Sequence, residues 1–245
     1  MTEKLSDDIR EKKEIFDSNF ENIKTRLNAA CKEAGVPEQS VILLAATKTV
    51  PTEVINHAID CGITYIGENR VQELLEKKDG LKAGVHRHFI GHLQTNKVKD
   101  IINEVEMIES VHSLKLAAEI EKQAAKNGKI MDVLIEINIG GEQSKSGFAP
   151  WEAENAVKEI AAMPHLRVKG LMTIPPVCGD EKIQIEYFTK MRKLFIDIRD
   201  KNMDNVNILY LSMGMSDDFE LAVKCGANIV RIGTALFGKR NYQQK

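Results

Sequence analysis

Residues 41–51 read VILLAATKTVP, an apolar run that ends on a single lysine, Lys48. Val, Ile, Leu and Ala at that length suit a strand buried on both faces, and Thr49-Val50-Pro51-Thr52 stops it ahead of a helical pattern. Lys48 therefore falls at the carboxyl end of a strand, the end at which parallel sheets bind ligands. A strand-terminal lysine can simply pack its stem and send its ammonium to water. It can also be an amine with a lowered pKa, ready to form an imine with a carbonyl.

Working outward, the same alternation recurs. Upstream, Ile9, Phe16, Phe20, Ile23, Leu27 and Ala30 repeat at helical spacing, and Gly35 and Pro37 end the pattern, so an amphipathic helix from about Leu5 to Ala34 leads into the first strand. Downstream come VINHAIDCG as helix, TYIGEN as strand, VQELLEKK as helix, HFIGHL as strand, and TNKVKDIINEV as a helix capped by Thr95 or Asn96. MIESVHS and SLKLAAEIEKQAAKNG form the fourth unit, DVLIEINIG and WEAENAVKEIAAM the fifth, and LRVKGLMTI and EKIQIEYFTKMRKLFIDIRD the sixth. ILYLSMG and DDFELAVKCG form the seventh, and NIVRIGTALFG is the eighth strand. Eight strands alternating with helices predict an α/β fold, a closed (β/α)₈ barrel with an extra N-terminal helix. Residues 1–245 are expected to be one domain, with 1–36 its helical extension.

Composition narrows the function. The formal net charge of -2 offers no general field for nucleic acid or an anionic membrane. Cys31, Cys61, Cys178 and Cys225 show no CxxC pair or zinc spacing and read as reduced, mostly packed thiols. A charged amino terminus and the lack of any long apolar run predict a soluble, cytoplasmic protein.

The strand ends converge on one mouth: Lys48, Glu68-Asn69-Arg70, His92, Asn138 with GGEQSKSG, Thr173, Ser212-Met213-Gly214 and Arg231-Ile232-Gly233-Thr234. This mouth reads as donor-rich and almost devoid of carboxylate pairs, which argues against glycoside hydrolysis. Barrels often bind phosphate in the loops after strands seven and eight. Here Ser212, Gly214, Ser216, Gly233 and Thr234 supply glycines and hydroxyls, although ordinary capping and a tight turn would use the same residues. Met213 lies within that segment, its side chain most simply a packing group. Arg231, two residues before Gly233, should share its face, and a buried guanidinium needs an acceptor such as an unprotonated ring nitrogen. An amine, a phosphate cradle and an arginine together match pyridoxal 5'-phosphate.

Through AATKTVP, IGENRVQE, HFIGHLQTNK, GGEQSKSGF, KGLMTI, LSMGMSDDFELAV and VRIGTALFG, the chain resembles the pyridoxal phosphate homeostasis proteins, relatives of the barrel domain of alanine racemase. The resemblance implies an imine between the cofactor and Lys48, phosphate contacts from Ser212, Gly233 and Thr234, an Arg231 contact to the pyridine nitrogen, and Asn69 beside the cofactor. His92 is expected to pack or face the cofactor. His86, His88 and His92 of HRHFIGH are spread along an extended strand with no carboxylate expected nearby, so a metal is not expected, and Lys145 reads as a mobile loop cation. Lys169 is a rival imine former on an early strand position, as in class I aldolases.

A racemase needs an acid/base on each face of the bound amino acid. None of Tyr65, Tyr187, Tyr210 and Tyr242 is an obvious second base, and an arginine on the pyridine nitrogen weakens the ring as an electron sink. The expectation is a non-catalytic carrier that buffers or delivers the cofactor, with apo-enzymes as candidate recipients and an amino-acid racemase as the alternative.

Overall fold

The computed structural model describes residues 2–142, 144–176 and 178–239, with side chains from residue 6. Eight parallel strands close on themselves in sequence order: β1 (Ile42–Ala46), β2 (Tyr65–Glu68), β3 (His86–Phe89), β4 (Met107–Val111), β5 (Met131–Glu136), β6 (Leu166–Met172), β7 (Val206–Ser212) and β8 (Ile229–Ile232). The seam joins the first strand to the last, with Leu44 beside Arg231 and Ala45 beside Ile232. Around the barrel run α2 (Thr52–Asp60), α3 (Val71–Lys77), α4 (Val98–Ile101), α5 (Leu114–Lys126), α6 (Ala153–Ala161), α7 (Glu181–Arg199), α8 (Phe219–Lys224) and α9 (Thr234–Phe237), all preceded by α1 (Thr2–Ala34).

Strand parity divides the side chains into two sets. Ala45, Ile66, Phe89, Ile108, Val133, Leu171, Leu211 and Val230 face outward into the main core beneath the helices. Leu44, Ala46, Ile90 and Ile229 face inward with Tyr65 and Tyr210, and Met107, Leu134 and Met172 fill the opposite side of the interior. Burial on both faces is the reason the strands read as continuous apolar runs. Apolar packing stops short of the mouth, where the upper interior is polar: His88, Glu109, Ser212 and Arg231 are all buried there.

α1 lies along α8, α9 and α2. Phe16 stacks on Phe237 with centroids 5.5 Å apart, Asn19 Nδ2 donates to Leu236 O at 3.1 Å, and Arg26 grips the Glu220 carboxylate with bonds of 2.8 and 2.6 Å. No helix among the described residues is long and apolar enough to cross a membrane.

Among the boundaries that depart from the sequence reading, three bear on the mouth or its supports. The eighth strand ends at Ile232, because the Gly233 carbonyl accepts from Leu236 and Phe237 N–H and turns TALF into α9. The helix expected over TNKVKDIINEV shortens to α4 behind a 3₁₀ turn, Thr95–Lys97; Thr95 and Asn96 lie inside that turn, and Gln94 precedes it without a side-chain cap. β3 begins at His86, where it pairs with Tyr65, earlier than HFIGHL implied.

Candidate active site at the barrel mouth

Lys48 sits half-buried in a tight turn just beyond β1. Thr47 N–H donates to Gly67 O at 3.0 Å, and Val50 N–H closes the turn on Thr47 O at 3.0 Å. The buried Thr47 hydroxyl donates to Glu68 Oε1 at 2.6 Å, while Lys77 Nζ reaches both that oxygen and Thr47 O at 2.8 Å. Thr49 has φ of 63°, an uncommon conformation for a β-branched residue, and its N–H donates to Glu73 Oε2 at 2.7 Å. Glu68, Glu73 and Lys77 thus fix the backbone on both sides of Lys48. Their charges in IGENRVQELLEK look solvated in sequence, since each partner lies on a separate element.

Register across the seam brings Gly233 against the end of β1. A Cβ on Gly233 would lie 3.2 Å from Ala46 O, so glycine permits this close approach. The loops after β7 and β8 are tied together: Ser216 Oγ accepts from Ala235 N–H at 3.1 Å, and Arg231 N–H donates to Gly214 O at 3.0 Å. Gly214 has φ of 92°, and a Cβ there would meet Ala222 Cβ at 2.5 Å. Thr234 opens α9 and is exposed; Met213 is wholly buried in the outer core.

Arg231 lies deeper than the rim. Its Nη2 donates to Thr173 O at 2.8 Å and its Nη1 to Ser212 Oγ at 2.5 Å, and Ser212 donates in turn to Glu109 Oε2 at 2.5 Å. Glu109 Oε1 is 2.7 Å from His88 Nδ1. The sequence reading gave the Ser212 hydroxyl to a phosphate. In the structure strand parity sends it inward, where the buried Glu109 carboxylate needs its proton more. Burial pushes Glu109 up, but His88, Arg231 and Ser212 outweigh it and hold the carboxyl below its ordinary range, hence ionised. Burial lowers Arg231, with Glu109, Glu136 and Asp218 opposing.

The sequence reading expected few carboxylate pairs at this mouth, but single carboxylates do lie buried beneath it. Glu68 and Glu109 are buried, and burial raises Glu136, at the end of β5, to about 7 despite nearby Arg231. The expectation of no carboxylate near HRHFIGH is corrected: His86 Nδ1 is 2.7 Å from Glu106 Oε2, and His88 pairs with Glu109. Neighbouring parallel strands supply these acids, and spacing within one strand cannot show them.

Asn69 follows β2 and carries a buried Oδ1 with no hydrogen-bond partner, an acceptor awaiting a donor. It borders a cleft of about 700 Å³ that Arg70, Gln72, His92, Gln94 and Lys97 also line. His92 is exposed, stacks on His112 with centroids 4.4 Å apart, and lies 2.9 Å from Ser146 Oγ through Nδ1. Lys145 is paired with Glu142 at 2.6 Å, and Lys169 sits half-buried on β6, three residues before the strand's end at Met172. Of the four free thiols Cys31 is buried, Cys178 and Cys225 are half-buried, and Cys61 is the exposed exception to the expected packing.

A parallel barrel with a lysine at the end of its first strand and an arginine on its last defines a class, and residues 19–241 match the family described as alanine racemase, N-terminal domain. The chain is 47% identical over 218 residues to a pyridoxal phosphate homeostasis protein of Aquifex aeolicus, covering 89% of this chain and 95% of that one. Among solved structures, an unknown protein from Bifidobacterium adolescentis superposes with a TM-score of 0.89 at 37% identity, over 92% of this chain and 96% of that chain. PipY of Synechococcus elongatus, solved with PLP bound, superposes at 0.77 with 29% identity, over 88% of this chain and 100% of that chain. The chain belongs to the pyridoxal phosphate homeostasis protein family, with the alanine racemase type of barrel.

Proposed function

We propose that this chain binds pyridoxal 5'-phosphate as an imine of Lys48 and acts without catalysis in holding and delivering the cofactor, so influencing amino-acid and keto-acid metabolism. The observation that carries the reading is the β1–β8 seam, which sets Arg231 beside Leu44 and Gly233 against Ala46, two residues before Lys48, in a fold whose relative PipY is solved with PLP bound. When bound, the cofactor supplies an aldehyde, a pyridine nitrogen and a phosphate. Lys48 would meet the aldehyde and Arg231 the ring nitrogen. Gly233 and Thr234 would border the phosphate beside the backbone of Ser212 and Met213, whose side chains are turned elsewhere, with Asn69 and His92 on the flank. The unpartnered Asn69 Oδ1 and the close Gly233–Ala46 approach fit a bound group of this kind. Apo forms of enzymes that use the cofactor are the natural recipients, in a cytoplasmic setting.

Two features favour holding over turnover. A guanidinium at the pyridine nitrogen disfavours its protonation and so weakens electron withdrawal. Among the described tyrosines, Tyr65 stacks on His86 low in the barrel at 4.5 Å, Tyr210 packs beside the interior cluster around Leu44, and Tyr187 lies on α7; Tyr242 is outside the described residues. One observation favours the racemase reading: Glu136, raised to about 7 by burial, could carry a proton where no tyrosine does.

The test is borohydride reduction of the holo-protein followed by peptide mapping. The pyridoxyl group is expected on Lys48, and Lys48→Ala should lose the imine absorbance. A label chiefly on Lys169 would replace this reading with an aldolase-like one. Incubation with L-amino acids in deuterium oxide then separates carrier from racemase: slow exchange at Cα supports the carrier, and rapid exchange abolished by Glu136→Gln supports the enzyme.

A further inference from the structure

Far from the mouth, on the face where α1 crosses α2, three potential metal donors converge. His57 Nε2 and Asp17 Oδ1 are 2.6 Å apart, Cys61 Sγ lies 3.6 Å from that oxygen, and Cys61 Sγ lies 3.7 Å from that nitrogen. His57 and Cys61 are one helical turn apart at the end of α2, and Asp17 comes from α1. Nothing in the cofactor site uses them.

The geometry separates two readings. A thiol activated for nucleophilic attack would take one ring nitrogen of its histidine, leaving the other for the orienting carboxylate. Here thiol and carboxylate address the same nitrogen, Nε2. Three donor atoms aimed at one point are what a cation requires.

Distances favour a tetrahedral ion. With Zn–S near 2.3 Å and Zn–N and Zn–O near 2.0 Å, tetrahedral angles place S···N and S···O at about 3.5 Å and N···O at about 3.3 Å. The two sulfur separations are already within about 0.2 Å of that, and only the His57–Asp17 pair must open, the metal replacing the proton between them. The site also caps the carboxyl end of α2, where the helix dipole favours positive charge.

We infer that Asp17, His57 and Cys61 form a binding site for a borderline divalent cation of the zinc type, three protein ligands leaving a fourth position for water. Binding expels the Cys61 thiol proton to solvent, and the thiolate supplies the metal–sulfur bond. Because the ligands come from two helices, the ion cross-links α1 to the barrel.

The experiment is titration of tag-free, reduced protein with Co²⁺ alone, followed by displacement with Zn²⁺ alone. One equivalent should bind with tetrahedral d–d bands and a sulfur-to-cobalt charge-transfer band, and Zn²⁺ should bleach both. Cys61→Ser should abolish the charge-transfer band, while Cys178→Ser, Cys225→Ser and Lys48→Ala keep it. Asp17→Asn, which leaves both α2 ligands in place, should weaken binding by at least the roughly 10–100-fold that loss of a supporting contact costs. Absence of one-equivalent uptake, a charge-transfer band that survives Cys61→Ser, or unchanged affinity in Asp17→Asn would overturn the assignment.

Discussion

Single residues in the barrel interior set the charge at the mouth. Glu136 shows how: a carboxyl raised from its ordinary 4.5 to about 7 binds its proton more tightly folded than unfolded. Its ionisation therefore costs stability progressively as pH rises from about 4.5 through about 7, by at most roughly 3 kcal/mol once fully ionised. Glu136→Gln is expected to raise the melting temperature above about pH 7.5 and to change it little near pH 5. Thermal melts across that range check it, and a difference independent of pH would mean the carboxyl ionises normally. Lys48 was legible in the sequence because a lone cation ends an apolar run. Glu109 and Glu136 were not, because each is a single charge in MIESV or VLIE, and what marks it as interior is a partner on a distant strand.

Elements place those residues through close backbone approaches. At Gly91, just past β3, a Cβ would lie 2.1 Å from Asn69 O and 2.6 Å from Asn69 Cα, while Ser110 Oγ donates to Gly91 O at 2.6 Å. Gly91→Ala must displace the Asn69 backbone, at the roughly 1–3 kcal/mol typical of overpacking. It should melt earlier and bind pyridoxal 5'-phosphate more weakly in an absorbance titration, whereas Gly179→Ala, with nothing within 4 Å of its new Cβ, should do neither. The strand–helix alternation was readable since period and punctuation are local. The shift from strand to α9 was not, because Gly233 turns there against Ala46 and the Ser216 hydroxyl takes the Ala235 N–H, both contacts between remote segments.

For the whole molecule, α1 works as a brace rather than an appendage. Phe16, fully buried, stacks on Phe237 at the end of the helix that Thr234 begins, so the brace reaches the mouth through α9. Phe16→Ala should cost about 3–5 kcal/mol and lower cofactor affinity, although it touches no proposed cofactor contact. Calorimetry and titration test the two effects, and a destabilised variant with undiminished affinity would show that α9 holds its place without α1. The seam between β1 and β8 bears on how the protein is made. Lys48 emerges among the first residues of the barrel, yet the strand carrying Arg231 is the last to be synthesised. Until that strand arrives, β1 has an open edge, and under the proposed role of Lys48 and Arg231 the nascent chain would hold only half of the cofactor site. If the cofactor is held across that seam as proposed, it would favour the closed form, so cofactor supply would pull the final pairing step to completion, and a cell short of the vitamin would hold more barrels with that edge unlatched.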